Sequence, residues 1–368
     1  MTGNISRGFG SPGKYIQGQN ELNNLYKYTD LYGKNVSVII DGFLFNDIKA
    51  LLGKIYQDDS NVNYVKFSGE CSVREINRFK LESEKFKSNV IVGIGGGKTL
   101  DTAKAVSGEL SIPVIIVPTA ASTDAPTSAL TVIYTDEGIH SDFICHKKNP
   151  DIVLVDTAII CRAPVRLLVS GMGDALATYF EALANEASDT ENYVGEGYRR
   201  TMLGMMIAKL CYETLIEKGL HAKIAAENGC CTEAFEDVVE ANILLSGLGF
   251  ENTGCAGAHG IHTGLTELPE ANSYFHGEKV AFGTICQLVL ENKSPELIDE
   301  VMGFCTSVGL PVTLGEMGIE DNDDTIRIIA KHSVKEILSE PFTITEESVF
   351  NSIKTANGLG KIYSNKCH

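Results

Sequence analysis

Tryptophan is absent from this 368-residue sequence, and proline is sparse at 10 residues. Also missing is any apolar run near the roughly 18 residues that a membrane-spanning helix needs. The opening residues, Met1-Thr2-Gly3-Asn4, carry no basic stretch leading into an apolar one, so neither a span nor a secretory leader is expected. Positive charge is in short supply: 31 Lys+Arg against 48 Asp+Glu give a formal net charge of −17. A surface of that sign repels nucleic acid and anionic membranes at long range, which argues against both as main partners. No C-x-x-C occurs, and of the 10 cysteines only Cys230-Cys231 form a close pair. Scattered cysteines of this kind read as reduced, mostly buried small hydrophobes of a cytoplasmic protein. Internal repeats, low-complexity tracts and long linkers are lacking too. The expected partner is a neutral or weakly charged small molecule, any phosphates being held by local backbone N–H groups and a few cations.

Glycine, by contrast, is plentiful at 36 residues, and 43% of the chain is hydrophobic. At this length a single core usually stops growing, so two domains are expected. Up to residue 163, short β-branched runs alternate with helical spacing, the pattern of a parallel sheet wrapped by helices. The runs are 36–40 (ending at Asp41), 63–67, 89–94, 112–117, 129–134 and 151–156, the fifth opening a hairpin through Asp136-Glu137-Gly138. After Ala163-Pro164 the texture turns helical. Pro164 suits a first helical turn, and Leu176, Tyr179, Phe180, Leu183, Ala184 and Ala187 follow helical spacing from Asp174 onward. Further helices are expected near 195–218, 232–249, 254–267, 277–292, 295–308, 323–338 and 345–357. The predicted architecture is a Rossmann-like α/β domain over 1–163 and an all-α domain over 164–368, with a ligand cleft where they meet.

Strand 89–94 runs straight into Gly95-Gly96-Gly97-Lys98-Thr99 and then a helix-compatible stretch from Leu100. A strand, a turn free of side chains and a helix N-terminus present backbone N–H groups to a pyrophosphate. The pattern from Gly93 is G-x-G-G-G-K, neither the dinucleotide fingerprint G-x-G-x-x-G nor a P-loop, since Val92 stands where a P-loop needs glycine. A plain tight turn would not need three glycines, each of which costs chain entropy. Asp41, at the end of its strand, can accept hydrogen bonds from ribose hydroxyls and repel a 2′-phosphate, favouring NAD over NADP; it can equally cap a turn. Residues 118–128 form a loop of small hydroxyl residues at the carboxyl end of a strand, where ligands bind in open α/β sheets.

The histidines cluster. His259 and His262 are three apart and share a helix face, and His276 opens the next helix. Asp174, in Gly171-Met172-Gly173-Asp174-Ala175, starts the first helix of the same domain on this reading. One carboxylate and two imidazoles, Asp174, His259 and His276, make a three-ligand site with open positions, the arrangement of catalytic zinc; Fe(II) fits the same donors. Taken singly, Asp174 reads equally well as a helix N-cap and each histidine as a satisfied polar residue.

Together these motifs carry a resemblance. Ser11-Pro12-Gly13-Lys14-Tyr15-Ile16-Gln17-Gly18, the Gly95–Asp101 loop, Ser122-Thr123-Asp124-Ala125-Pro126-Thr127-Ser128, Gly173-Asp174-Ala175-Leu176-Ala177-Thr178, His259-Gly260-Ile261-His262 and His276-Gly277-Glu278-Lys279-Val280-Ala281-Phe282-Gly283 follow one another in the order of the glycerol dehydrogenase family, which they resemble. That family lies within the iron-containing, or group III, alcohol dehydrogenases. The resemblance implies a dehydroquinate synthase-like architecture and a large homo-oligomer, often an octamer. It implies zinc on Asp174, His259 and His276, with His262 as a neighbouring proton-relay residue. It implies NAD contacts at Asp41, Gly97, Lys98, Asp101, Thr119, Ser122, Ser128, Leu130 and Tyr134, to which the glycine-loop reading adds Gly95 and Gly96. Asp124 would reach the substrate and Phe250 would shape its pocket. The sequence departs from the family form at Glu251-Asn252-Thr253-Gly254-Cys255, where Ser-Gly-Gly usually follows the glutamate, a difference that bears on substrate preference.

The implied reaction is reversible oxidation of glycerol and related 1,2-diols to dihydroxyacetone or hydroxyketones. A dication at Asp174, His259 and His276 would ease loss of the hydroxyl proton and could be chelated by two vicinal hydroxyls, and NAD would accept the hydride. Three other readings are weaker. A 3-dehydroquinate synthase-like lyase and a sn-glycerol-1-phosphate dehydrogenase would each need an arginine or lysine cluster near the histidines, and none is seen. A non-catalytic nucleotide-binding protein has no need of an unsaturated metal site.

Overall fold

The computed structural model describes residues 6–57 and 59–364, so the reading of Met1–Asn4 lies outside the described residues. The described residues divide into two units, Gly10–Ala163 and Pro164–Ser364, with Ser6–Phe9 joining the second.

The first strand is β1 (Ser6–Arg7). The α/β unit then runs β2 (Tyr15–Gly18), α1 (Leu25–Thr29), β3 (Val36–Asp41), α2 (Phe45–Tyr56), β4 (Val62–Phe67), α3 (Val73–Phe86), β5 (Val90–Gly95), α4 (Gly97–Leu110), β6 (Val114–Pro118), β7 (Leu130–Tyr134), β8 (His140–Cys145), β9 (Ile152–Asp156) and α5 (Thr157–Ile160). Runs such as Val36-Ser37-Val38-Ile39-Ile40 are buried along their whole length, as strands covered by helices on both faces must be. Six of them form one parallel sheet in the order β2-β9-β6-β5-β3-β4. Alternate residues of four strands (Val36, Val38 and Ile40; Val90, Val92 and Ile94; Ile115 and Val117; Ile152 and Leu154) share one core with Leu25, Ile48 and Leu52 of α1 and α2. The period of two puts these side chains on one face. The expected hairpin is present as the antiparallel pair β7–β8, with an irregularity at Ile133/Tyr134. Edge strand β2, parallel to β9, is not among the expected strands; only four residues long and half-buried, it has weak strand patterning.

The order of the sheet fixes where a ligand can sit. From β3 the chain goes out to β4 at the edge and returns to β5 on the other flank of β3, so the strand order reverses between β3 and β5. Ligands of open α/β sheets bind outside the carboxyl ends of the strands at such a reversal. Here those ends are Asp41 and Gly95.

The helical unit contains α6 (Val165–Ser188), β10 (Tyr198–Arg199), α7 (Met202–Glu227), α8 (Glu233–Glu240), α9 (Ser246–Thr253), α10 (Gly257–Leu265), α11 (His276–Leu290), α12 (Pro295–Val308), α13 (Asp323–Ser333) and α14 (Glu346–Ser364). A π-helical turn, Ala241–Leu245, joins α8 to α9. The expected domain boundary of 1–163 needs one correction: β1 pairs in parallel with β10, and Gly8 N–H donates to the Arg199 carbonyl at 3.2 Å, which ties Ser6–Gly8 to the helical unit. A second correction concerns Asp174. It lies in the third turn of α6, whose N-cap is Pro164, and does not start the helix. Gly173, just before Asp174, lies inside α6, where the lack of a side chain admits the Gly277 carbonyl of α11.

Candidate active site

In the α/β unit the glycine turn lies at the reversal point. Gly95 pairs with Pro118 across β5–β6, and the Thr119 N–H donates to the Gly95 carbonyl at 3.1 Å. A Cβ on Gly95 would lie 2.9 Å from both Asp41 Cβ and Thr99 Cβ, whereas one on Gly96 would meet nothing within 4 Å. The first glycine is therefore demanded by packing, and the second leaves backbone open toward the outside of the turn. Gly97 begins α4, so the unbonded N–H groups of its first turn lie beside this opening. Asp41 Oδ1 accepts the Phe43 N–H at 2.9 Å and Oδ2 the Thr99 hydroxyl at 3.4 Å. Lys98 Nζ is 2.5 Å from Glu70 Oε2 and 5.0 Å from the centre of the Tyr134 ring. Burial pushes the Tyr134 phenol up to about 12.

The hydroxyl-rich loop is shaped from behind by a residue the sequence reading missed. Lys104, buried in α4, donates to the carbonyls of Ala125 at 2.9 Å, Ser128 at 3.4 Å and Leu130, and pairs with Asp101 at 2.8 Å. Asp101 is only 5% exposed, and its other oxygen accepts the Val132 N–H at 2.9 Å. The Asp101 carboxylate is thus engaged within the protein and, with Lys104, braces the start of β7 and the end of the loop that carries Thr119, Ser122, Asp124 and Ser128. Ser128, also buried, donates to the Ala125 carbonyl at 3.3 Å. A charged pair three residues apart on a helix is an ordinary surface pattern, so only its burial marks this one out.

In the helical unit, ligand atoms of Asp174, His259 and His276 lie within 4.8 Å of one another. His276 Nε2 is 3.0 Å and His259 Nε2 3.5 Å from the same oxygen, Oδ1, of Asp174. Two glycines make this possible: a Cβ on Gly173 would be 2.3 Å from the Gly277 carbonyl oxygen, and one on Gly277 would be 1.8 Å from the Ser170 carbonyl oxygen. Backbone-to-backbone contact of α6 and α11, with no side chain between them, draws Asp174 and His276 together. Burial alone would raise the Asp174 carboxyl, but His276 and His259 beside it hold it well below the usual carboxylate range.

Glu181 was not foreseen. It is fully buried, and its Oε2 lies 2.7 Å from His259 Nδ1 while Oε1 accepts the N–H groups of Ala256 at 2.8 Å and His259 at 2.9 Å. A carboxylate on Nδ1 sets the ring so that Nε2 faces Asp174, the usual support of a metal-bound imidazole. The available signal was spacing: Glu181 follows Asp174 by seven residues, two helical turns on the same face of α6. His262 packs edge-on against His276, ring centres 4.2 Å apart. Burial first, then His276 and His259, lower its proton affinity well below the ordinary histidine range. Phe250 packs against Tyr193 at 6.3 Å between ring centres. The unusual Asn252 and Thr253 are fully buried and hydrogen-bond to carbonyls of their own helix, Leu248 at 2.8 Å and Gly249 at 2.9 Å. Two residues beyond Thr253, Cys255 stands beside His259, their ligand atoms within 4.8 Å.

A buried carboxylate between two imidazoles, one braced by a further carboxylate, fits a divalent ion with coordination positions to spare. Fold and donor set together define the class of metal-dependent dehydrogenases built on a dinucleotide-binding sheet. The comparisons agree. Residues 12–157 match the iron-containing alcohol dehydrogenase family. The chain is 47% identical to the glycerol dehydrogenase of Citrobacter freundii, over 95% of this chain and 97% of that one. It is 46% identical to the glycerol dehydrogenase of Thermotoga maritima, over 96% and 98%. A probable glycerol dehydrogenase from Sinorhizobium meliloti superposes with a TM-score of 0.92 at 44% identity, covering 97% of this chain and all of the other. The chain belongs to the iron-containing alcohol dehydrogenase family, in its glycerol dehydrogenase branch, and is an oxidoreductase. The cofactors of that family are NAD and a divalent metal ion. Among the described residues no helix is long and apolar enough to cross a membrane.

Proposed function

We propose that this enzyme oxidises glycerol and related 1,2-diols to dihydroxyacetone and the matching hydroxyketones, reversibly, with NAD⁺ as hydride acceptor and zinc held by Asp174, His259 and His276. The observation that carries the reading is the meeting of both imidazole Nε2 atoms at one buried oxygen of Asp174, at 3.0 and 3.5 Å. Fe(II) suits the same donors, and metal analysis of the purified protein decides between them. When bound, the dication supplies Lewis acidity that lowers the cost of removing the hydroxyl proton of an alcohol.

The residues of the chain do the rest. Backbone N–H groups of Gly95, Gly96 and Gly97 and the cation of Lys98 hold the pyrophosphate of NAD. Asp41 accepts from the ribose hydroxyls and turns away a 2′-phosphate. Thr119, Ser122, Ser128, Leu130 and Tyr134 form the wall against which the nucleoside lies, with Asp101 and Lys104 fixing the loop behind them. Asp124 orients a substrate hydroxyl and Phe250 bounds the substrate pocket. His262 relays the released proton. Glu181 keeps His259 in the tautomer whose Nε2 faces Asp174.

We further propose a homo-oligomer, an octamer on the family resemblance. Met202, Leu203, Met206 and Leu210 of α7 are 50–74% exposed at helical spacing, an apolar stripe that a second copy would cover. Light scattering of the purified protein measures the assembly. The cysteine usage supports a cytoplasmic location, which cell fractionation checks.

A polyol panel followed by NADH absorbance, before and after chelation and with zinc returned, tests the catalytic reading. Turnover of glycerol that is lost with the metal and restored by zinc is expected. Full activity in metal-free enzyme, or turnover of phosphorylated alcohols in preference to glycerol, would sink it.

A further inference from the structure

We infer that Glu181, Cys255 and His259 form a second cation site, selective for thiophilic dications such as Cd²⁺ or excess Zn²⁺, on the Nδ1 edge of the same imidazole whose Nε2 faces Asp174. Ligand atoms of these three residues lie within 4.8 Å of one another. The two edges of the His259 ring are occupied differently: Nε2 is 3.5 Å from Asp174 Oδ1, whereas Nδ1 is 2.7 Å from Glu181 Oε2. Cys255 Sγ belongs to the same cluster, and the backbone of Cys255 is anchored on both sides. The Cys255 N–H donates to the Tyr193 hydroxyl at 3.4 Å, and the Cys255 carbonyl accepts from the Asn185 amide at 2.9 Å. Asn185 follows Glu181 by one turn of α6, so one helix places both the carboxylate and the clamp on the cysteine.

The donor sets differ in softness. Carboxylate with two imidazoles is borderline, while carboxylate, imidazole and thiolate shift preference toward Zn²⁺ and Cd²⁺ over Fe²⁺, Mn²⁺ or Mg²⁺. Binding at the second site displaces two protons to solvent, one from the Cys255 thiol and one from His259 Nδ1, and replaces the hydrogen bond to Glu181 by coordination from both groups. No oxidant or reductant takes part. A cation there competes with the bond that orients His259, so it inhibits; this consequence, though not the site, rests on the active-site reading above.

The test is a Cd²⁺ titration of the holoenzyme, read by metal content after equilibrium dialysis, by the near-ultraviolet thiolate-to-cadmium absorption and by turnover. Wild type should gain one cation per chain, develop the absorption and lose activity. Cys255→Ser should keep its activity without added Cd²⁺, gain no second cation and show no new absorption. Its half-inhibition concentration should rise beyond the roughly 10–100-fold typical of losing an outer hydrogen-bond partner. Asp174→Asn, which damages only the first site, should retain the absorption. No absorption in wild type, or the same absorption in Cys255→Ser, overturns the proposal. If Asp174→Asn binds as many cations as wild type while the absorption still depends on Cys255, the active-site reading fails and the second site stands.

Discussion

Adding one methyl group at Gly277 should dismantle the metal centre without touching a ligand. The new Cβ of Gly277→Ala would lie 1.8 Å from the Ser170 carbonyl oxygen and 2.8 Å from the Asp174 backbone nitrogen. Both are backbone atoms in the middle of α6, so no rotamer change relieves the contact. Restoring ordinary van der Waals separation requires α11 to move from α6 by roughly 1.5 Å, in a core packed too tightly to absorb it. Metal–ligand distances tolerate only about 0.2 Å, and His276 is the residue next to Gly277, so its Nε2 leaves the Asp174 oxygen now 3.0 Å away. Overpacking costs about 1–3 kcal/mol, and a clash between backbones belongs at the upper end. Gly303→Ala is the matched control. It lies within α12 and its Cβ would meet nothing within 4 Å, so replacing helical glycine there should stabilise by about 0.5–1 kcal/mol. Urea unfolding of both variants, followed by metal analysis after dialysis, provides the measurement. If Gly277→Ala unfolds at the wild-type midpoint and retains its metal, the close approach of α6 and α11 does not build the site.

Other expectations follow from the same structure. Gly95→Ala should weaken NAD binding, since its Cβ at 2.9 Å from Asp41 and Thr99 forces the turn open; isothermal titration with NAD⁺ should show at least a tenfold loss, about 1.4 kcal/mol, and an unchanged Kd would refute the role of the turn. Lys104→Met strands the buried Asp101 carboxylate and the carbonyls of Ala125, Ser128 and Leu130, and should destabilise by about 3–5 kcal/mol; addition of Asp101→Asn should recover part of that loss, and strictly additive effects would exclude their coupling. His146, 2.9 Å from the Thr131 hydroxyl, is held by burial, and secondarily by Lys104, at about 4 instead of 6.5. Because the folded form resists a proton that the unfolded chain accepts, its contribution is complete above pH 6.5 and is lost as pH falls toward 4. Wild type should therefore lose more stability than His146→Gln between these values, and parallel curves would remove the assignment. Asp174→Ala and His276→Ala should abolish turnover while NAD still binds; an active His276→Ala enzyme would overturn the metal assignment.

Much of the fold could be read from local chemistry. Buried parallel strands need continuous β-branched runs, so β3, β5, β6 and β9 stood out, and the glycine turn followed directly from the strand that feeds it. The division near residue 163 marks the place where short β-branched runs stop and helical spacing continues alone. Edge strand β2 and the pairing of β1 with β10 were not legible, because short and half-exposed strands leave little pattern. Asp174 lies in the third turn of α6 and not at its start, and Gly173 before it is there for a neighbour, Gly277 of α11, that the sequence does not reveal.

The sequence by itself determined which residue types were available for chemistry and on which elements they ride: a triple-glycine turn after a strand, an aspartate on one helix, histidines on two others. Those follow from propensity and period, which act over a few residues. Only the tertiary structure decided that Asp174, His259 and His276 converge, that Glu181 braces one imidazole and that Lys104 and Asp101 hold a loop from within. These are contacts across as many as a hundred residues, set by how closely helix backbones can approach, and that distance is a property of packed pairs of elements.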